Sequence, residues 1–157
     1  MKDDEGIIMT RKGFDDMTNE LRQLLTTSRP EIAERIRQAR QVSDPSENSD
    51  YEDAKRAQAL SEARIRELKV ILANARVVNS VRHDGVVRIG AVVKVQDLED
   101  GSEDEFTMVG ATEADPSESR ISYESSLGGA VLGRKVGDEV RVMAPGGAIQ
   151  YKIVSVK

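Results

Sequence analysis

Apolar residues recur at intervals of three and four along the first half of the chain, and the period changes to that of strands beyond residues 77–84. Thr10 can cap a helix beginning at Arg11. Phe14, Met17, Leu21 and Leu24 then form one apolar stripe, and Ile32, Ile36 and Ala39 form a second. The second stripe is one residue out of phase with the first, and Pro30 sits at the slip. Proline removes a helix hydrogen bond and disfavours helical angles at the residue before it. The expectation is a kink or short break there within one continuing arm.

Ala54, Gln58, Ser61, Ile65, Leu68, Leu72 and Ala75 follow with alternating spacings of four and three, the pattern of a coiled-coil seam. Folding the chain about residues 46–47 sets Ala54 opposite Ala39, Gln58 opposite Ile36 and Ser61 opposite Ile32. The same fold sets Ile65 opposite Ser28, Leu68 opposite Leu24, Leu72 opposite Leu21 and Ala75 opposite Met17. Two independent seams thus agree on one antiparallel hairpin. Roughly thirty residues per arm at ~1.5 Å rise each give a length of about 45 Å. The turn falls in the stretch 43–53, which holds five acids and no base. Seam residues are large at the base and small or polar toward the tip, so the distal arm is expected to be slim and suited to insertion into a channel.

Val77 to Asp84 reads as a linker. Val86, Val87, Ile89, Val92, Val93 and Val95 form one β-branched run, and Phe106–Val109 reads as the returning strand after a turn at 99–102. Residues 112–119 read as polar loop, Ile121–Tyr123 as a short strand, and 127–132 as a helical turn stopped by Gly133. Val140–Met143 and Ile149–Val156 flank a turn at Pro145-Gly146-Gly147. The predicted class is α+β: a helical coiled-coil hairpin over residues 1–78 with its acidic tip at 43–53, then a small antiparallel β domain over 79–157.

Composition narrows the function. Hydrophobic residues are 38% and charged residues 32% of the 157, a balance that suits an elongated helix-rich protein better than one compact globule. Aromatics are only 3%, too few for a base-stacking platform, and a net charge of -5 argues against non-specific phosphate-backbone binding. With no Cys and only His83, disulfides, thiolate metal sites and His-based triads are excluded. The N-terminal residues lack the long apolar run of a secretory signal, and no membrane span is visible, so a cytoplasmic bacterial-type protein is expected.

Several separated motifs resemble the GreA/GreB family of bacterial transcript cleavage factors. Residues 43–51 (Ser43-Asp44-Pro45-Ser46-Glu47-Asn48-Ser49-Asp50-Tyr51) resemble the family tip Gly-Asp-Leu-x-Glu-Asn-x-Glu-Tyr. Arg29-Pro30-Glu31-Ile32, Ala39-Arg40, the stretch from Leu127 to Val140 and Pro145-Gly146-Gly147 also match, in the same order. The resemblance implies an FKBP-like second domain that docks at the mouth of the RNA polymerase secondary channel. It implies a coiled coil that passes down the channel, with Asp44 and Glu47 at its tip. These two acids would help hold a second Mg2+ at the polymerase active site, where the backtracked 3′ end of the nascent RNA is cleaved. The protein is then an accessory factor, a monomer, and not itself an enzyme. Ser43, Pro45 and Ser126 depart from the family pattern, and Pro45 matters most because it fixes φ beside Asp44.

The residues themselves allow two readings of the tip. Mg2+ takes hard oxygen ligands, usually one or two carboxylates with waters and phosphates. Asp44 and Glu47 supply two carboxylates three residues apart, too few for a cage but enough to complete a site that another protein half-owns. Alternatively, Asp44, Pro45 and Glu47 are the N-cap, first and third residues of a capping box. Asn48, Asp50 and Tyr51 either shape the tip or serve as plain first-turn residues. Arg37, Arg40, Lys55 and Arg56 are candidates to contact RNA phosphates, or else belong to a solvated helix face. His83 reads as an inert linker residue. Three functions follow for testing: a cleavage stimulator, a channel-binding regulator or inhibitor without cleavage activity, and a prolyl isomerase. The last needs an aromatic-lined pocket, for which residues 79–157 offer only Phe106, Tyr123 and Tyr151.

Overall fold

The computed structural model describes residues 6–42, 48–79 and 82–157. It divides into two compact units, Phe14–Asn74 and the combination of Met1–Gly13 with Ala75–Lys157. By compactness, a segment from each end of the first 78 residues groups with the globular unit.

The first unit is a helical hairpin. Helix α1 (Arg11–Gln23) leads through one π-helical turn (Leu24–Ser28) into α2 (Arg29–Val42), and α3 (Ser49–Ala73) returns. Thr10 caps α1 as its sequence implies, its hydroxyl accepting from the Gly13 amide at 3.0 Å. The helix does not break at Pro30. The Arg29 amide donates to the Leu24 carbonyl five residues back, and Gln23 and Arg29 both keep right-handed helical angles. The phase slip between the two apolar stripes is thus an extra residue absorbed by a π-turn. The physical cause lies at Pro30, which cannot donate to the Thr26 carbonyl and whose ring would crowd it; widening the preceding turn relieves both problems.

Met17, Ile36, Ala39, Ala54, Ile65 and Leu68 are buried, as the fold-back of the two seams requires. At the base Ile71 is buried and Leu72 only half-buried, so the apolar face is broader there than one heptad position. Ala75 is not a helical seam residue, because α3 ends at Ala73 and Ala75 opens a strand. Two bidentate ion pairs tie the returning helix to the outgoing one. Arg29 grips Glu62 with both contacts at 2.8 Å, and Arg64 grips Glu20 at 2.7 and 2.9 Å. They lie to either side of the π-turn in sequence and clamp the stretch whose own residues are not buried.

The second unit carries two sheets. Strands β1 (Ile7–Thr10) and β2 (Ala75–Val78) pair in parallel, Ile7 with Ala75 through Thr10 with Val78. Val77 and Val78 therefore belong to a strand and not to a linker. Parallel partners need a long crossover, and the helical hairpin is that crossover. The main sheet has the order β5-β4-β3-β7-β6, formed by β3 (Val92–Asp97), β4 (Glu103–Val109), β5 (Arg120–Ser122), β6 (Glu139–Ala144) and β7 (Gly147–Val156). It is mixed and not purely antiparallel: β5 runs parallel to β4. Alternate residues Val93, Val95, Phe106, Met108, Val140, Val142 and Ile153 face one core with Val87 and with Val131 of α4 (Ser126–Val131). The β-branched run at 86–95 is not one strand. Gly90 adopts a φ of 95°, and the Ala91 amide turns back onto the Arg88 carbonyl, so pairing begins only at Val92.

The stretch 112–119, expected to be polar loop, contains a buried carboxylate. Glu113 is 6% exposed and accepts from the Thr10 amide at 2.9 Å, the Thr10 hydroxyl at 2.5 Å and the Gly110 amide at 3.0 Å. Glycine is required at both close approaches. A Cβ on Gly13 would lie 1.8 Å from the Glu113 carboxylate, and one on Gly110 would lie 2.0 Å from the Ile8 carbonyl oxygen.

Removing this carboxylate strands buried donors, so Glu113→Ala is expected to destabilise the protein by about 3 kcal/mol in urea unfolding. The opposite sign is expected in the hairpin seam, where the Ser61 hydroxyl is buried without a hydrogen-bond partner. Ser61→Ala removes that desolvated group and improves helix propensity, and should raise stability by about 1 kcal/mol in the same measurement.

Candidate functional site

The residues singled out at the tip divide into those described by the structure and those outside it. Asp44, Pro45 and Glu47 lie outside the described residues, between the last residue of α2 and the cap of α3. What is described is the frame around them. Ala39 and Ala54 are buried where the two helices converge, and their small side chains allow close backbone approach. Asn48, only 8% exposed, fills the end of the seam.

Asn48 is the N-cap of α3. It has extended backbone angles, and its side-chain oxygen accepts from the amides of Asp50 at 3.1 Å and Tyr51 at 3.2 Å. Its side-chain amide donates across the hairpin to the Ala39 carbonyl at 2.6 Å. The cap of α3 is therefore Asn48; Asp44, the cap the sequence suggested, lies outside the described residues. Asp50 and Glu52 in the first turn complement the positive end of the helix dipole.

Tyr51 forms the second tie across the tip. Its hydroxyl accepts from Arg40 at 3.4 Å, and the Arg40 guanidinium lies 5.5 Å from the ring centroid. Of the four basic candidates, Arg40 alone reaches a described residue across the hairpin. Arg37 forks onto Glu34, Lys55 donates to Gln58 at 2.9 Å, and Arg56 pairs with Asp53 at 3.3 Å, each within its own helix. These are exposed pairs that solvent screens and a phosphate can displace. His83 is exposed and takes part in none of this.

A hollow of about 330 Å³ beside the tip is lined by Arg35, Gln38, Val42, Asn48, Asp50 and Asp53, among others. Among the described residues no three His, Asp or Glu side chains are grouped to hold a metal ion.

Arg40 gives the tip a spectroscopic signature. Its hydrogen bond, aided by its charge and that of Lys55, lowers the Tyr51 pKa below that of an ordinary tyrosine despite partial desolvation. Burial pushes Tyr123 and Tyr151 up, reinforced by Glu124 in the first case and by Asp97, Asp104 and Asp100 in the second. With three tyrosines and no Trp in the chain, phenolate absorbance should rise in two waves, with Tyr51 first. Arg40→Ala should move the early wave back toward the others. The stabilisation carried by the Tyr51 phenolate is present above the pKa of an unfolded tyrosine and is lost as pH falls through the lowered value.

Comparison with known proteins agrees with both halves of this architecture. Residues 7–77 match the family described as transcription elongation factor, N-terminal, and residues 82–157 match transcription elongation factor, GreA/GreB, C-term. The chain is 44% identical to transcription elongation factor GreA of Acetivibrio thermocellus over 100% of this chain and 99% of that one. It is 45% identical to transcription elongation factor GreA of Chloroflexus aggregans over 95% and 96% of the two chains. It is also similar to the crystal structure of GreA factor homolog 1 (Gfh1) of Thermus thermophilus, at 26% identity, 98% and 99% coverage and a TM-score of 0.45. Family profiles covering nearly the whole chain and full-length relatives at this identity agree: the chain belongs to the GreA/GreB family of transcription elongation factors.

Proposed function

We propose that this elongation factor acts on bacterial RNA polymerase by inserting its helical hairpin, tip first, into the secondary channel and stimulating cleavage of backtracked nascent RNA. The observation that carries this reading is the position of Asp44 and Glu47. Both carboxylates fall in the short connection between the end of α2 at Val42 and the α3 cap at Asn48. The hairpin thus carries two hard oxygen ligands at its far end. Two carboxylates leave most of the coordination shell of Mg2+ to other donors, so the complementary ligands belong to the polymerase. The ion, when bound there, supplies charge stabilisation to the attacking and leaving oxygens of a phosphodiester.

In this reading the factor has no hydrolytic activity of its own. It acts in the cytoplasm as a monomer, and the globular unit, FKBP-like by resemblance, docks on the outer surface of the polymerase. No helix among the described residues is long and apolar enough to cross a membrane. Arg37, Arg40, Lys55 and Arg56 border the tip and are available to the RNA 3′ end once their exposed partners are displaced. A second reading, a channel-binding regulator that inhibits without cleaving, is motivated by Pro45, whose fixed φ next to Asp44 can redirect that carboxylate.

A backtracked elongation complex at limiting Mg2+ separates the two readings. Wild-type protein should accelerate cleavage, and Asp44→Ala should lose on the order of tenfold or more of that acceleration while still competing with wild type for polymerase. Equal cleavage by the two proteins would refute the carboxylate role. Inhibition of nucleotide addition without added cleavage would establish the regulator instead.

A further inference from the structure

The strand pair β1–β2 brackets the helical hairpin in sequence: α1 follows directly on Thr10, and a single residue separates the end of α3 from β2. The parallel register, Ile7 with Ala75 through Thr10 with Val78, joins the two roots of the hairpin into one piece. Within the globular unit β1 packs on the single turn Ala111–Glu113. The approach is close, since a Cβ on Gly110 would lie 2.0 Å from the Ile8 carbonyl oxygen. Glu113 closes the contact. One carboxylate oxygen accepts from the amides of Thr10 and Gly110, and the other accepts from the Thr10 hydroxyl, which in turn accepts from the Gly13 amide. The buried acid thus holds the cap of α1 through both its backbone and its side chain, at the helix end where the dipole favours an anion. An apolar side chain of the same volume would fill the space without choosing where Thr10 sits, whereas three directional bonds leave one arrangement. All these groups lie within the globular unit, while α1 from Phe14 onward belongs to the hairpin.

We infer that Glu113 is a positioning residue: clasped to Thr10, it fixes the start of α1 on the globular unit, so that docking of that unit becomes productive insertion of the hairpin. This rests on the proposed insertion into the polymerase, but not on which residues act at the tip. Two substitutions break the clasp while sparing the carboxylate itself. Alanine is ordinarily favoured over glycine inside a helix, yet a Cβ on Gly13 would lie 1.8 Å from the Glu113 carboxylate and displace it. Thr10→Val keeps a β-branched side chain in β1 but removes the hydroxyl that serves both Glu113 and Gly13. Thr10→Ser restores that hydroxyl.

Hydrogen exchange on the free full-length proteins comes first. The residue 10 amide in Gly13→Ala and the Gly13 amide in Thr10→Val should lose protection, while the amides of β3 and β7 keep theirs. Cleavage of a backtracked complex is then followed as a function of factor concentration. A partly unfolded factor is compensated by adding more of it, so purely structural damage raises the half-maximal concentration and leaves the maximal rate alone. Lost positioning does the reverse. Gly13→Ala and Thr10→Val should keep the wild-type half-maximal concentration and lose about tenfold or more of the maximal rate, the scale of a small misplacement far from the chemistry. Thr10→Ser should restore it. Retained protection in both variants, or a wild-type maximal rate in variants that have lost it, would overturn the inference. If wild-type protein inhibits nucleotide addition and stimulates no cleavage, the proposed cleavage function fails, and the same split read on maximal inhibition decides the role of Glu113.

Discussion

Ile65 and Leu68 have almost no exposed surface, yet the helices of the hairpin carry charges at many of their other positions. The hairpin is held by a narrow apolar strip about two heptad positions wide, and hydrophobic burial is roughly proportional to area. Such a strip cannot absorb a change of register, because a slip of one residue turns the seam away from its partner. The other features of the first unit follow from that constraint. Pro30 would break the strip, and the π-turn at Leu24–Ser28 keeps it continuous. The forks of Arg29 on Glu62 and Arg64 on Glu20 add directional contacts where the π-turn buries nothing. Exposed ion pairs contribute little to stability by themselves, but a bidentate geometry discriminates between registers.

The same economy governs the end of the hairpin. Toward the tip the seam shrinks to Ala39 and Ala54, which lowers apolar burial but lets the backbones come close. Close backbones expose two sets of orphan helix groups to each other, and Asn48 satisfies members of both. A bulky apolar residue at 48 would bury more area and leave those groups unpaired, at a cost that exceeds the gain. The polar tip is therefore compatible with a narrow arm, and the acids between Val42 and Asn48 can be carried without a larger supporting structure.

In the globular unit the comparable device is Glu113. A buried carboxylate is costly unless its oxygens are met by donors, and here Thr10 and Gly110 meet them. Thr10 thereby serves twice, as the cap of α1 through Gly13 and as a donor to Glu113. The absence of side chains at Gly13 and Gly110 is what leaves room for this contact.

Local periodicity was enough to read the helical hairpin and most strands of the main sheet, although residues 49–53 of the expected turn belong to α3. Phe14, Met17, Ile36, Leu68 and their partners repeat at a spacing that only one antiparallel pairing satisfies, and the acids of the turn stand out by composition. The parallel pairing of β1 with β2 was not legible, because its two short strands are separated by the whole hairpin and neither alternates long enough to be distinctive. The π-turn left a trace in the phase slip, but its location depends on a backbone hydrogen bond that periodicity does not encode. Glu113 looked like one more acid in a polar loop, since its donors at Thr10 lie 103 residues away. That Asn48 caps α3 was not legible for the same kind of reason: its bond to Ala39 exists only after the hairpin has closed. The sequence by itself determined which faces must be buried, because burial follows from the spacing of apolar residues. The tertiary structure decided which polar groups meet, because a hydrogen bond is short and directional and its partner can come from anywhere in the chain.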